Sequence, residues 1–332
     1  MKETILVVGG AGYIGSQVVS DLLNEGYNPI ILDNFIYGNR DIAEKIGAPI
    51  ETGDMLDTNF LRYVFNKYKI SVVMHFAAYA YVGESVISPL KYYKNNVVAT
   101  LNLLTIMKEF NVKKFIFSST CATYGVPKVM PITEQTPQNP INPYGKTKLM
   151  VEQILKDFDV AYDFKSIIFR YFNVSGANKN GKMGERHSPE THIIPLAIGC
   201  AMEGGVFKVF GDDYDTLDGT CIRDYIHVAD ISSAHILGMK KLLETNKSEV
   251  YNIGTGSGSS VLEILNAIEK ISGKKVKREC VKKREGDPPK LVADAKKIKD
   301  ALGWEPKNSN IENIIKTAWD WHNNDIKNKN NK

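Results

Sequence analysis

Tyr144 and Lys148 stand four residues apart in the run Pro143-Tyr144-Gly145-Lys146-Thr147-Lys148. Proline suits the first position of a helix, and this spacing then sets a phenol and an ammonium one turn apart on the same face. A cation beside a phenol favours phenolate and lowers its pKa from the reference of about 10. Such a phenol can act as a base toward a sugar or alcohol hydroxyl. The same spacing also fits a surface helix on which the two side chains meet by accident, so the surroundings decide. Upstream lies Ser118-Ser119-Thr120-Cys121-Ala122-Thr123-Tyr124-Gly125, directly after a strand-like run. In an open parallel sheet the carboxyl ends of the strands line the cleft. Thr120 there can hydrogen-bond a reacting oxygen and share its proton. Ser118 and Ser119 also fit the commoner task of satisfying backbone groups at a strand end.

A second constellation lies near the N-terminus. Gly10-Ala11-Gly12-Tyr13-Ile14-Gly15 fits GxGxxG, and Gly9, Gly12 and Gly15 fit the looser GxxGxxG. Glycines there allow a tight turn in which a pyrophosphate approaches backbone N–H groups at a helix N-terminus. Asp33 ends the next apolar run, where a carboxylate can accept both hydroxyls of an adenosine ribose and repel the extra phosphate of NADP. NAD is therefore the expected cofactor, although a strand-end aspartate also forms turns. Asp54 follows a third apolar segment and could face the adenine amino group or simply close a turn.

These residues need a scaffold. Ile5–Val8 reads as a buried strand, Ile14, Val18, Val19, Leu22 and Leu23 recur at helical spacing, and Ile30–Leu32 reads as the next strand. Strands are expected again at Val72–Phe76, Lys114–Phe117 and Phe164–Phe169, with a helix around Asn96–Phe110. Strands alternating with helices define an α/β fold: a Rossmann-type parallel sheet with helices on both faces. Beyond Asn173 the rhythm changes. Residues 176–190 and 211–219 read as loops, and helices are expected at 192–203, 228–245, 260–271 and 310–326. The expected division is a NAD-binding domain over 1–175, with segments near 224–253 returning to it, and a smaller mixed α/β lobe over 176–332 that binds substrate.

Composition narrows the classes. The formal charge of +4 comes mostly from Lys274, Lys275, Lys277, Arg278, Lys282, Lys283, Arg284 and the last residues, without the interleaved aromatics of a nucleic-acid groove. No apolar run is long enough to span a bilayer, and the N-terminus lacks a signal-peptide pattern. Cys121, Cys200, Cys221 and Cys280 are far apart, which fits reduced cytoplasmic thiols. The six histidines show no HExxH or related spacing, so no metal is expected.

Taken together, the chain resembles the extended short-chain dehydrogenase/reductase family, most closely its nucleotide-sugar 4-epimerase branch. The motifs, in family order, are GGAGYIGS at 9–16, HFAA at 75–78, VGES at 82–85, YYKNNV at 92–97, SSTCATYG at 118–125 and PYGKTK at 143–148. YFNVSGA at 171–177, the loop 210–220, RDYIHVAD at 223–230, YNIGTG at 251–256 and REGDPP at 284–289 complete the set. The resemblance implies reversible NAD-dependent inversion at C4 of a UDP-hexose, UDP-glucose or UDP-galactose, through a 4-keto intermediate. It implies Tyr144 as base, Lys148 as its activator and Thr120 as hydroxyl partner.

For NAD it implies Gly9, Gly12, Tyr13, Ile14, Gly15, Asp33, Asn34, Asp54, Met55, Phe76, Ala77, Ala78, Asn95, Ser118, Tyr144, Lys148 and Tyr171. For the UDP-sugar it implies Thr120, Tyr144, Asn173, His192, Phe210, Arg223, Tyr225, Arg284 and Asp287, and it implies a homodimer formed through 92–110 and 144–157. Two positions depart from the best-known bacterial form: Ala80 replaces a lysine and His192 an asparagine. Leu291 matches the gate residue that controls room for a 2-acetamido group and is smaller than the tyrosine of some members, which leaves room for UDP-N-acetylhexosamines. Cys121-Ala122 stands where related dehydratases carry Asp-Glu, which speaks against loss of water. UDP-uronic acids or UDP-pentoses as substrates stay open. A non-catalytic dinucleotide sensor would keep the glycine loop while losing the Tyr144–Lys148 relation.

Overall fold

The computed structural model describes residues 2–284 and 287–330, the side chains of 327–330 excepted; Glu285 and Gly286 of the REGDPP run lie outside the described residues. Seven strands form one sheet: β1 (Thr4–Val8), β2 (Asn28–Asp33), β3 (Ile50–Thr52), β4 (Val72–His75), β5 (Lys114–Thr120), β6 (Lys165–Tyr171) and β7 (Glu249–Ile253). Their order is β7-β6-β5-β4-β1-β2-β3, every neighbouring pair is parallel, and β7 lies on β6 with Tyr251 opposite Phe169. The chain builds outward from β1 to β3, then crosses back to β4 on the other side of β1. That reversal opens a crevice at the carboxyl ends of β1 and β4.

The strands are near-continuous apolar runs because both sheet faces are covered. Ile5 and Val7 of β1 point into one core with Val18, Val19 and Leu22 of helix α1 (Tyr13–Asn24), while Leu6 and Val8 point into the other, with Leu61, Val64, Leu103 and Leu104. This two-residue alternation follows from the pleat. The second core also takes Val151 and Leu155 of the long helix α2 (Pro143–Tyr162). Residues 228–245, expected as a helix, form α3 (Val228–Thr245), which packs on the same face as α1 through Ile231, Ala234, Met239 and Leu242. A third core joins α4 (Ile193–Glu203), α5 (Val261–Ser272) and α6 (Ile311–Asn330) through Ile198, Ile264, Ile268 and Ile314.

Three details differ from the sequence expectation. Strand β5 runs on through Ser118, Ser119 and Thr120, so these hydroxyls belong to the strand rather than to a loop after it. The helix expected around 96–110 begins as a π-helical segment, Tyr93–Val98, before it becomes regular over Ala99–Glu109. A small sheet of two-residue strands, Ser259–Ser260, Ile222–Arg223 and Lys290–Leu291, was not expected at all.

Candidate active site

The glycine loop runs from the end of β1 into α1. Gly9 has φ +81°, and a Cβ there would lie 2.5 Å from the Ala77 nitrogen; a Cβ on Gly15 would lie 2.1 Å from the Gly9 carbonyl. Only hydrogen fits at these places, so the helix start, the strand end and the Phe76–Ala77 turn approach one another closely. Gly12 caps α1 without any side-chain hydrogen bond, and the first turn holds no acidic residue. Its amide groups and positive dipole end are left for an anion. This bare cradle fits a pyrophosphate.

Asp33 has a second task that the sequence did not suggest. One carboxylate oxygen accepts from the Ala11 N–H at 3.0 Å, and the other accepts from the Phe35 N–H at 2.8 Å. The buried carboxylate thus shapes the glycine loop and holds Phe35 at φ +58°. Burial raises its pKa, against the lowering effect of those two bonds. A carboxylate offers about four lone-pair positions, so acceptors for a ribose diol remain. Asn34 donates to Asp54 at 2.9 Å, which joins the ends of β2 and β3 on the same edge. Ile14 and Met55 pack in the two cores beside this edge.

Across the switch point, Phe76, Ala77 and Ala78 follow β4, Ser118 and Thr120 end β5, and Tyr171 ends β6. Helix α2 brings Tyr144 and Lys148 against them. Asn142 caps this helix by accepting from the Gly145 N–H at 2.9 Å, with Pro143 in the first turn. Gly145 lets the helix come close: a Cβ there would lie 2.6 Å from the Ala122 carbonyl. The Tyr144 phenol lies beside the Thr120 hydroxyl, close enough for that hydroxyl to act on its proton affinity, and Tyr171 lies near both Ser118 and Tyr144. Lys148 is buried, donates to the Ser118 carbonyl at 2.8 Å and lies 4.9 Å over the Phe117 ring.

Without cofactor, the electrostatics of this group run against a phenolate. Burial pushes the Tyr144 phenol up to about 12, offset in part by the Thr120 hydroxyl, and Lys148 is not among the groups that act on it. Burial also drives Lys148 down to about 7, against the opposing pull of Glu152. Lys148 is buried and Tyr144 half-buried, and the lysine charge is directed at a carbonyl instead of at the phenol. In the protein alone, therefore, Tyr144 keeps its proton.

On the other side of the cleft, Asn173 donates to the Asp224 carbonyl at 3.3 Å. Arg223 pairs with Asp287 at 2.5 Å, Tyr214 reaches the same carboxylate at 3.4 Å, and the Arg284 guanidinium lies 4.1 Å from the Phe210 ring centre. Arg223, Arg284 and Asp287 thus form one polar wall, although about sixty residues separate Arg223 from the other two in sequence. Tyr225 is buried nearby, and Leu291 sits opposite Arg223 in the small sheet and packs near Cys121 and Phe172. Ala80 is exposed, and Asn95 donates to Asn96 at 2.9 Å.

His192 stands apart from that wall. It precedes α4 and lies in a cluster with Glu185, His187 and Glu190. Burial opposes its imidazolium, but Glu185 and Glu190 outweigh that and push it up to about 10. No histidine spacing in the sequence points to a metal, yet the fold gathers these four side chains. The signal was the alternation Glu185-x-His187-x-x-Glu190-x-His192, which matches no standard spacing.

Sequence reading missed two further groups. Glu152 and Arg170 are fully buried and paired, with the Arg170 Nε 3.0 Å from the carboxylate, and Ser119 and Gln138 donate to the same Glu152. Glu152 lies one turn beyond Lys148, and that spacing was the available clue. Asn96 donates to the Tyr79 carbonyl and to Thr147 and accepts from the Tyr79 N–H, tying the 76–81 turn to α2.

A parallel sheet with a glycine-lined switch point, a threonine at a neighbouring strand end and a Tyr-Lys pair on the helix packed against it define a dinucleotide-binding α/β enzyme. The profile of the NAD dependent epimerase/dehydratase family matches residues 5–254, and the chain belongs to this family. It is 50% identical to the UDP-glucose 4-epimerase of Lactobacillus helveticus over 96% of both chains. The UDP-glucose 4-epimerase of Brucella ovis in complex with NAD superposes with a TM-score of 0.93 at 46% identity, covering 96% of this chain and 97% of that one. The Bifidobacterium longum UDP-glucose 4-epimerase in complex with NAD+ and UDP gives 0.90 at 39% identity, covering 97% and 99%.

Proposed function

We propose that this protein reversibly inverts C4 of UDP-hexoses, interconverting UDP-glucose and UDP-galactose through a 4-keto intermediate, with NAD as cofactor. The carrying observation is the meeting of Tyr144 and Lys148 of α2 with the end of β5, at Thr120 and Ser118, next to a bare pyrophosphate cradle. Gly9, Gly12, Tyr13, Ile14, Gly15, Asp33, Asn34, Asp54 and Met55 would hold the adenosine and pyrophosphate half. Phe76, Ala77, Ala78, Asn95, Ser118, Lys148 and Tyr171 would hold the nicotinamide half. Bound NAD⁺ supplies the hydride acceptor and donor, and a positive charge that favours the Tyr144 phenolate.

The chain's own residues do the rest. Tyr144 takes the proton from the sugar 4-hydroxyl and later returns it, and Thr120 shares that hydrogen bond. Lys148 anchors β5 to α2, and its pKa of about 7 lets it carry either charge state near neutrality. Arg223, Arg284, Asp287, Asn173, Phe210 and Tyr225 would grip the nucleotide diphosphate while the sugar turns over, with His192 at the margin. The NAD-binding unit is 1–175 with 224–253 and also the stretch 295–304, whose Ala295, Ile298 and Trp304 pack into the same core as α1 and α3, a return that the expected division did not include; the rest of 176–332 forms the substrate lobe.

The decisive experiment incubates purified protein with UDP-galactose and no added NAD. UDP-glucose should form, and Tyr144→Phe should lower kcat about 10²–10⁴-fold while NAD stays bound. Full activity in that variant would refute the assignment. UDP-N-acetylgalactosamine should also turn over, since Leu291 leaves more room than a tyrosine. Unpaired Cys121, Cys200, Cys221 and Cys280 support a cytoplasmic setting. No helix of the described residues is long and apolar enough to cross a membrane.

A further inference from the structure

We propose that Glu185, His187, Glu190 and His192 bind one divalent transition-metal ion of the zinc class, which fastens the 176–192 loop to the start of α4 beside the cleft. One ligand atom from each residue, a ring nitrogen in the histidines, lies within 4.8 Å of the other three. His187 Nδ1 is 3.3 Å from Glu185 and 3.7 Å from Glu190, and His192 Nδ1 is 3.5 Å from Glu190 and 2.5 Å from Glu185. A tetrahedron with metal–ligand bonds of about 2.0–2.1 Å has edges of about 3.3–3.4 Å; the 3.3 Å His187–Glu185 separation suits such an edge, and Glu190 offers one oxygen to His187 at 3.7 Å and the other to His192 at 3.5 Å, so a small turn of its carboxylate completes the set. An ionic network alone explains the cluster less well. His187 Nδ1 is buried between two carboxylates, yet it has no aligned hydrogen bond among the described residues.

The donor set is two imidazoles and two carboxylates, a combination that zinc accepts and whose two negative charges balance a dication. Structural zinc sites use four protein ligands, and four are present. The scaffold is rigid for reasons unrelated to an ion. Trp321 donates to the Glu185 carbonyl at 2.9 Å, and a Cβ on Gly184 would lie 2.5 Å from the same indole. Arg186 pairs with Asp41 and Asp325 and lies 5.3 Å over Trp321. The Glu185 side chain is only 6% exposed, those of His187 and Glu190 are 19% exposed and that of His192 is 49% exposed, so three of the four donors are shielded from water and the fourth faces the solvent. Tyr81 stands edge-on to His187, with ring centres 6.2 Å apart, which places the site against the turn after β4. Ligation through Nδ1 would leave the Nε2–H of His192 as a fixed donor; this last step alone rests on the substrate reading above.

The test needs no substrate. Chelator-treated full-length protein is titrated with Zn²⁺ and, separately, with Co²⁺, and bound metal is measured by mass spectrometry. One ion per chain is expected, with the intense visible absorption of four-coordinate Co²⁺ and no thiolate charge-transfer band. His187→Gln and Glu185→Gln should each weaken binding at least ten-fold. The proposal is overturned if the wild-type chain retains no ion after dialysis. The weak spectrum of six-coordinate Co²⁺, a thiolate band, or undiminished binding in a folded His187→Gln protein would overturn it equally. If that variant does not fold, the wild-type cobalt spectrum still decides.

Discussion

Lys148 shows how far one residue's environment departs from its sequence context. Burial drives its pKa from 10.5 to about 7. Between those values the unfolded chain binds the extra proton and the folded chain does not, so this group makes stability rise with pH over that window. The expected outcome is that, from pH 7 to pH 9, the urea midpoint of the cofactor-free protein rises relative to Lys148→Met. His187 and His192, raised from 6.5 to about 9 and about 10, act with the opposite sign from the start of the window up to those values, but they are common to both proteins and cancel in the difference. A flat difference would show that the lysine is not desolvated. The identities of Tyr144, Lys148 and Thr120 were legible because helical spacing and strand-end position are local properties. The direction of their proton affinities was not, because desolvation is set by Phe117, Ser118 and other residues that only the fold assembles.

Elements explain why those side chains hold still. The turn between β1 and α1 works because Gly15 sits against the Gly9 carbonyl, so Gly15→Ala must displace backbone. Overpacking of this kind costs about 1–3 kcal/mol, and the displaced groups are those offered to the cofactor. We expect a melting temperature lower by several degrees and NAD retention on gel filtration reduced at least ten-fold; retention of bound cofactor at the wild-type level would contradict the cradle. At the start of α2, Asn142→Ala removes the acceptor for the Gly145 N–H. It should cost about 1 kcal/mol in denaturant titrations. The long strands and helices could be read from the sequence because their apolar periodicity extends over whole segments. Strands of two residues such as Ile222–Arg223 and Lys290–Leu291 have no period to read. The π-helical turn at Tyr93–Val98 was equally hidden, since an extra residue in one turn leaves the apolar pattern nearly unchanged.

For the whole molecule, the open question of assembly has a testable surface. Val98, Leu101 and Met150 lie on adjoining helical segments and are 48%, 41% and 39% exposed. Apolar side chains grouped in this way suit a partner surface, and we propose that a second copy of the chain covers them. Sedimentation should give twice the 37.1 kDa chain mass, and Leu101→Glu should shift it to the single-chain value. A wild-type chain that sediments singly at micromolar concentration would remove the proposal. The small sheet formed by Ser259–Ser260, Ile222–Arg223 and Lys290–Leu291 bears on redesign at the same scale. Its strands come from three distant stretches, and the segment between the first two in the chain supplies β7 to the large sheet. The two halves of the cleft are therefore stitched rather than hung on a single linker. A chimera that borrows the sugar-facing half from a relative would need several splice points chosen together, and a single-junction fusion should yield misfolded protein.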